Sequence, residues 1–340
     1  MSPAGNDPRP VPLQVSTSFR RQRQADTAPI GPILVLAGPG SGKTRCLIGR
    51  IAHLIQSGAD PSRICAITFT NKAAEEIVSR LRRALGLAAE HLTLGTIHSQ
   101  CLRILRPFAG QLGLPPGFGV ADEEHQRQIL RRVRVYPARH GQTLLRFGRR
   151  RLDGSALTAG EELLFQQYQA QLRVHRLIDY DDIIALTRQL LEGDAAVLAD
   201  TQGRWDHVLV DEFQDLDMAQ YAIIRHLAAR HRSLFGVGDD EQSIFSWRGA
   251  DPRVIAHFTR DFGIRVPVLL NVNCRSTKAI FETARRILPP TLDLRRTITA
   301  QCESPFGVEV AGHPDDSAEA QWVIDHISAD VAASGLPHGE

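Results

Sequence analysis

Ile33-Leu34-Val35-Leu36-Ala37-Gly38-Pro39-Gly40-Ser41-Gly42-Lys43-Thr44 is the stretch on which the reading of this chain turns. Four consecutive apolar residues predict a buried strand, Ala37 to Gly42 a glycine-rich turn, and Lys43 the start of a helix. Such a strand–turn–helix cradles nucleotide phosphates: glycine lets backbone N–H groups close on the anion, and a helix N-terminus favours negative charge. The strict pattern asks for glycine where Ala37 stands, but Gly40 and Gly42, which allow the close approach, are present. Backbone N–H groups and Lys43 would hold the phosphates of ATP, while the Thr44 hydroxyl would ligate Mg²⁺. Composition points the same way. Of the 40 Lys and Arg residues, only Lys43, Lys72 and Lys278 are lysine, so a lysine in the turn suggests a need for a compact, flexible ammonium.

Working outward, strand and helix patterns alternate. Ile64–Phe69 precedes a helix with Ala74, Ile77, Val78, Leu81 and Leu85 at three-to-four spacing, and Leu92–Gly95 precedes another from Ile97 to about Phe108. Short connections between such units imply a parallel sheet flanked by helices. The pattern breaks in the loop at 110–119, and from Asp122 to about Gly193 strand signals vanish in a polar, helical stretch rich in Gln and Arg. Alternation resumes with strand His207–Val210, helix Met218–Arg230 and strand Ser233–Val237. A further unit is expected beyond Gly263: an apolar run Val266–Leu270, a helix Ser276–Leu288, a strand Gly307–Ala311 and a helix Asp316–Ala333.

Composition narrows the class. Hydrophobic content of 43% and charged content of 23% are ordinary for a soluble globular protein, and no apolar run approaches the length of a membrane span. The polar N-terminus lacks a signal-peptide core, so a cytoplasmic location is expected. Cys46, Cys65, Cys101, Cys274 and Cys302 are too scattered for a zinc or disulfide framework. Net charge is only +2, which argues against diffuse nucleic-acid binding.

Two later segments carry chemistry. Asp211, at the end of the apolar run Val208-Leu209-Val210, would supply a second Mg²⁺ contact, and Glu212 would orient or deprotonate an attacking water. A solvated turn is the plainer reading of Asp-Glu after a strand, and the phosphate loop weighs against it. The second segment is Gly238-Asp239-Asp240-Glu241-Gln242-Ser243-Ile244-Phe245-Ser246-Trp247-Arg248-Gly249.

Together with Thr68-Phe69-Thr70-Asn71-Lys72-Ala73-Ala74, Gly95-Thr96-Ile97-His98-Ser99 and Asp211-Glu212-Phe213-Gln214-Asp215, these motifs resemble the UvrD/Rep/PcrA family of superfamily-one DNA helicases. The likeness runs from about Arg21 to about Ala333. It implies an α/β fold: a RecA-like phosphate-loop domain (28–110 and 197–263) with a helical insertion (111–196), preceded by a disordered tail (1–27) and followed by part of a second RecA-like domain (264–340). It implies that Gln242 senses the γ-phosphate and that Arg275 is an arginine finger from the second domain. Phe69 and Trp247 would stack on bases, with Asn71, Thr96, His98 and Arg248 as further DNA contacts; a structural role for His98 stays equally open.

Three departures from the family pattern stand out. Gln22 keeps the spacing of the adenine-reading glutamine, but Ser18-Phe19 replaces the usual Leu-Asn; Cys274 replaces a tyrosine that packs on adenine; and the later motifs would lie beyond residue 340. The expected activity is ATP hydrolysis coupled to 3′-to-5′ movement on single-stranded DNA or single/double-strand junctions. Poor unwinding by this chain alone is expected, with a protein supplying the missing motor half. Alternatives are a remnant that binds ATP and DNA without turnover, and the motor fragment of a helicase–nuclease complex. The arginines Arg131, Arg132, Arg134, Arg139, Arg146, Arg149, Arg150 and Arg151 could grip duplex phosphates or form a solvated face.

Overall fold

The computed structural model describes residues 17–246, 249–287, 298–303 and 307–334. The chain runs α1 (Thr17–Asp26), β1 (Ile33–Ala37), α2 (Lys43–Gln56), β2 (Ile64–Thr68), α3 (Asn71–Leu85), β3 (Thr93–Thr96) and α4 (Ile97–Leu105). The middle segment contributes β4 (Gly119–Val120), α5 (Glu123–Arg132), α6 (His140–Leu152), α7 (Ala159–Val174), β5 (Leu177–Ile178), α8 (Tyr180–Gly193) and α9 (Ala195–Gln202). Then come β6 (His207–Val210), α10 (Met218–Ala228), β7 (Leu234–Gly238), α11 (Val254–Phe262), β8 (Val268–Leu270), β9 (Val272–Thr277), α12 (Lys278–Ile287), β10 (Thr299–Cys302) and α13 (Asp316–Ser334).

Six strands form one parallel sheet in the order β3-β2-β6-β7-β1-β8. Alternate residues of each strand point to opposite faces, so the fold has two apolar layers. Leu47, Ile51, Ile77 and Leu81 of α2 and α3 cover Val35, Ala66 and Leu209 on one face. Cys101, Ile104, Ile183, Ile223 and Phe258 cover Leu34, Ile67 and Val208 on the other. Because every strand is parallel, the loops after β1, β2, β3, β6 and β7 leave from the same sheet end, where ligands of open α/β sheets bind. The helical segment has its own core of Ile129, Leu130, Phe147, Tyr168 and Leu172. Among the described residues no helix is long and apolar enough to cross a membrane.

Several expectations are corrected. Residues 17–26 of the expected disordered tail form helix α1, while residues 1–16 lie outside those described. From Arg20 to Asp26 the helix buries Gln22 and Ala25, a spacing too sparse to show as periodicity in the sequence. Arg50, 1% exposed, holds its C-terminal end by donating to the carbonyls of Asp26 (3.1 Å), Ala28 and Pro29 (3.2 Å). Val268–Leu270, expected in the second unit, pairs with β1 as the sixth strand of the main sheet. β9 pairs with β10 in a separate two-stranded sheet, and Gly307–Ala311 forms no strand. Within the supposedly strand-free stretch, Leu177–Ile178 pairs with Gly119–Val120.

Candidate nucleotide site and nucleic-acid face

The glycine-rich loop after β1 turns as its glycines permit. Gly40 and Gly42 have φ of 65° and 92°, a region costly for residues with a Cβ. Ser41 braces the turn from inside, its hydroxyl donating to the Gly38 carbonyl at 2.7 Å. Gln22, almost fully buried on α1, donates through Nε2 to the Ser41 carbonyl at 2.7 Å. Its observed contact is therefore with the loop backbone, a bond that the adenine-reading expectation did not include.

A pocket of about 250 Å³ opens over the loop, lined by Gly38, Pro39, Gly40, Gly42, Lys43 and Thr44, and also by Glu212, Gln242 and Arg275. Lys43 Nζ donates to Gln242 Oε1 at 3.4 Å and stands 3.9 Å from the fully buried carboxylate of Asp239. Asp211 is buried behind the pocket, its carboxylate accepting the Glu212 backbone N–H at 3.1 Å. Burial, then repulsion from Glu212, pushes its carboxyl up to about 7. Asp215 rises to about 6 for the same two reasons. Glu212 sits in left-handed backbone at φ 48°, one of four described non-glycine residues with positive φ, a conformation found where structure is shaped for a site.

Gln214, absent from the sequence-based site, ties these groups together. Its Oε1 accepts the Asp239 N–H at 2.9 Å, and its Nε2 donates to Glu212 at 2.9 Å and to Asp215 at 3.2 Å. A buried side chain using both ends of its amide is a satisfied hub. Glu76 and Arg80 of α3, an ion pair one helical turn apart, also line the pocket and were likewise missed. No local pattern marks them, since i, i+4 Glu–Arg pairs are common on solvated helices.

Arg275 reaches the pocket because β9 is latched to the phosphate loop. The Cys274 N–H donates to the Gly40 carbonyl at 3.1 Å. The buried Asn273 accepts the N–H groups of Arg275 (2.8 Å) and Ser276 (3.0 Å), turning the strand there. A Cβ on Gly40 would stand 2.5 Å from Asn273 Oδ1, so glycine is needed for this approach as well as for its φ.

The nucleic-acid residues expected from the resemblance cluster at the same sheet end. Phe69 follows β2, Asn71 opens α3 and is exposed, Thr96 ends β3, and His98 lies in the first turn of α4. Phe69 stacks on Phe245 with ring centroids 5.1 Å apart, an aromatic partner not anticipated. Thr96 caps α4 by accepting the Ser99 N–H at 3.3 Å. His98 packs edge-on against Tyr180 at 5.7 Å, and burial lowers its imidazole below the usual range, favouring the neutral ring. Trp247 and Arg248 lie outside the described residues.

The eight-arginine cluster does not form a single face. Arg151 is buried against Asp179, Asp182 (2.8 Å each) and Asp181 (3.1 Å), so it is part of the segment's interior. Arg146 pairs with Glu161 at 2.6 Å, Arg150 with Glu162 at 3.3 Å and Arg131 with Glu124 at 3.5 Å.

Comparison with known proteins agrees with this geometry. The family model described as UvrD/REP helicase N-terminal domain matches residues 19–263. The ATP-dependent DNA helicase PcrA of Staphylococcus aureus (strain Mu50 / ATCC 700699) is 34% identical over 288 residues, covering 78% of this chain and 39% of that protein. PcrA of Bacillus subtilis (strain 168) is 33% identical over 333 residues, covering 90% of this chain and 44% of its own length. The chain therefore spans less than half the length of these relatives. With the phosphate loop, the Asp211–Glu212 step and the flanking helices all inside the matched residues, this chain belongs to the UvrD/REP helicase N-terminal domain family.

Proposed function

We propose that this chain binds Mg²⁺–ATP in the pocket over Gly38–Thr44 and hydrolyses it in response to single-stranded DNA, as the ATP-binding part of a 3′-to-5′ DNA helicase. The observation that carries this reading is convergence: Lys43, Glu212, Gln242 and Arg275, from four separate segments, line one small pocket at the sheet end. The proposed domain division is a RecA-like sheet through β8, a helical insertion between α4 and β6, and a second unit from β9.

In this reading the loop N–H groups and Lys43 hold the phosphates, and Gln242, already bonded to Lys43, registers the terminal one. Glu212 orients the attacking water and accepts its proton, held in place by Gln214. Arg275 neutralises charge on the transferred group from the β9 side. The residues fit a hard divalent cation: Thr44 offers a hydroxyl at the pocket wall, and Asp211 a buried carboxylate whose ionised form the fold penalises and a nearby cation would restore. Mg²⁺ bound there would supply charge neutralisation to the phosphoryl transfer. Phe69, Asn71, Thr96 and His98, with Trp247 and Arg248, would form the DNA face, and base stacking there tolerates any sequence.

The test is ATP hydrolysis by the purified chain with and without an oligo-dT strand, beside Lys43→Ala. DNA-stimulated turnover that falls by at least about 100-fold in the variant is expected. Equal turnover in both proteins would overturn the reading. Saturable binding of ATP and DNA without turnover would replace it with a binding remnant.

A further inference from the structure

An open groove lies away from the nucleotide pocket, along the outer edge of β3. It has a volume of about 740 Å³ and runs between α3 and α4. These helices pack on opposite faces of the sheet, since Ile77 and Leu81 join one core layer and Cys101 and Ile104 the other. A groove touching both helices, with Leu94 and Gly95 between them, must follow the sheet edge itself. β3 is the terminal strand, paired on one side with β2 and on the other with nothing among the described residues. An unpaired edge offers a row of N–H and C=O groups in strand spacing.

The walls of the groove have a distinct chemistry. Arg82 and Arg83 of α3 and Arg103 of α4 are exposed along it, against the single carboxylate of Glu75. Arg82 has a carboxylate at 3.7 Å in Glu90, itself half exposed, so this pair is solvent-screened and exchangeable. Between the cations Ala74, Val78 and Leu94 make an apolar strip. At Gly95 there is no side chain over the edge. Behind it lies Gln100, fully buried, with neither amide atom hydrogen-bonded among the described residues; its Nε2 is 3.0 Å from where a Cβ on Gly95 would sit.

We propose that this groove is a docking site for an extended acidic segment of a partner protein, added to the sheet as a strand beside β3. Main-chain hydrogen bonds to alternate residues of β3 would carry the pairing; on the α3 face apolar side chains would rest on the Ala74–Val78–Leu94 strip, bordered by Arg82 and Arg83, and on the α4 face the intervening acidic ones would meet Arg103. A nucleic-acid backbone fits less well. It presents acceptors only, and the free carbonyls of a strand edge would face its phosphates with no donor between them. The inference does not rest on the nucleotide pocket.

The experiment uses the full chain and two fluorescein-labelled peptides of equal charge, (Glu-Val)5 and (Glu-Pro)5, followed by anisotropy up to millimolar peptide. Amide hydrogen exchange across 93–96 is measured in parallel, and an oligo-dT strand serves as competitor. Expected are saturable binding of (Glu-Val)5 with slowed exchange at 93–96, and at least tenfold weaker binding of (Glu-Pro)5, whose prolines cannot donate. The triple variant Arg82→Glu/Arg83→Glu/Arg103→Glu should weaken (Glu-Val)5 at least tenfold while keeping its affinity for oligo-dT. The three arginines are exposed, and circular dichroism confirms that the variant is folded. Equal binding of both peptides, or no binding with unchanged exchange, would overturn the proposal. An equal loss of oligo-dT affinity in the variant, with oligo-dT displacing the peptide, would assign the groove to nucleic acid instead.

Discussion

In the helical segment Arg151 stands 2.8 Å from both Asp179 and Asp182 and 3.1 Å from Asp181, whereas over the phosphate loop Lys43 stands 3.9 Å from Asp239 and 3.4 Å from Gln242. Both places set several buried carboxylates around one cation. The first is satisfied: Tyr168 donates to Asp179 at 2.9 Å, Gln169 to Asp182 at 3.0 Å, and the planar guanidinium reaches three acceptors at once. The second is loose. Lys43 makes only long contacts to Asp239 and Gln242, and Asp211 is left with a carboxyl pushed up to about 7 by burial and by Glu212. The contrast separates a cluster whose charges are met within the fold from one in which burial holds a carboxyl well above its usual range.

The largest effect expected from this contrast is on stability, in the satisfied cluster. Arg151→Met leaves the buried carboxylates of Asp179 and Asp182, and the partly exposed one of Asp181, without their cation and should cost about 3–5 kcal/mol in urea unfolding. Binding of a fluorescent ATP analogue at low temperature should stay within about twofold. Stability equal to the parent would mean that the cluster is no more organised than the one at the phosphate loop.

Asp211→Asn should act in the opposite sense. Because the folded-state pKa is raised, the carboxyl costs nothing below about 4, where both states are protonated. It removes stability as pH rises from there through about 7, since the unfolded state ionises first. The amide removes that penalty, so the variant should be more stable at pH 8 by on the order of 4 kcal/mol, a gain that fades toward pH 4. Its ATP hydrolysis should be lost. Thermal melts at several pH values measure the first effect and phosphate release the second; a destabilised variant at pH 8 would erase the distinction between the clusters.

The smallest effect lies on the same helix as Arg151. Arg146 pairs with Glu161 at 2.6 Å but is 43% exposed, so solvent screening leaves the pair little net worth. Arg146→Ala should change stability by under about 1 kcal/mol. A loss approaching that of Arg151→Met would show that proximity, and not burial, sets the value of these pairs.

Much of the site was readable because it is local. Gly40, Gly42, Lys43 and Thr44 occupy one turn, and the turn's own backbone requirements select the residue types. Asp211–Glu212 follows a fully apolar strand, which places both at a sheet end. Helix α1 was not readable, because its run TSFRRQRQAD is mostly polar and from Arg20 to Asp26 only Gln22 and Ala25 are buried. Nor was β9, whose Asn273-Cys274-Arg275-Ser276 shows no apolar alternation and is turned by Asn273's own hydrogen bonds. The eight arginines looked like one cluster because sequence records charge and spacing but not which guanidinium is buried.

By itself the sequence determined the parallel α/β plan, the glycine-rich turn after β1 and the strand ends that carry carboxylates, since period, glycine placement and apolar runs act over a few residues. Only the tertiary structure decided that Val268–Leu270 extends the main sheet and that Gln22 clasps the loop from before it. It also lined one pocket with Arg275 and Lys43, more than two hundred residues apart, and set the β3 edge, unpaired among the described residues, between two arginine-bearing helices. An apolar strand reads the same in any sheet; which neighbour it takes is set by the packing of whole layers, and no local pattern encodes that.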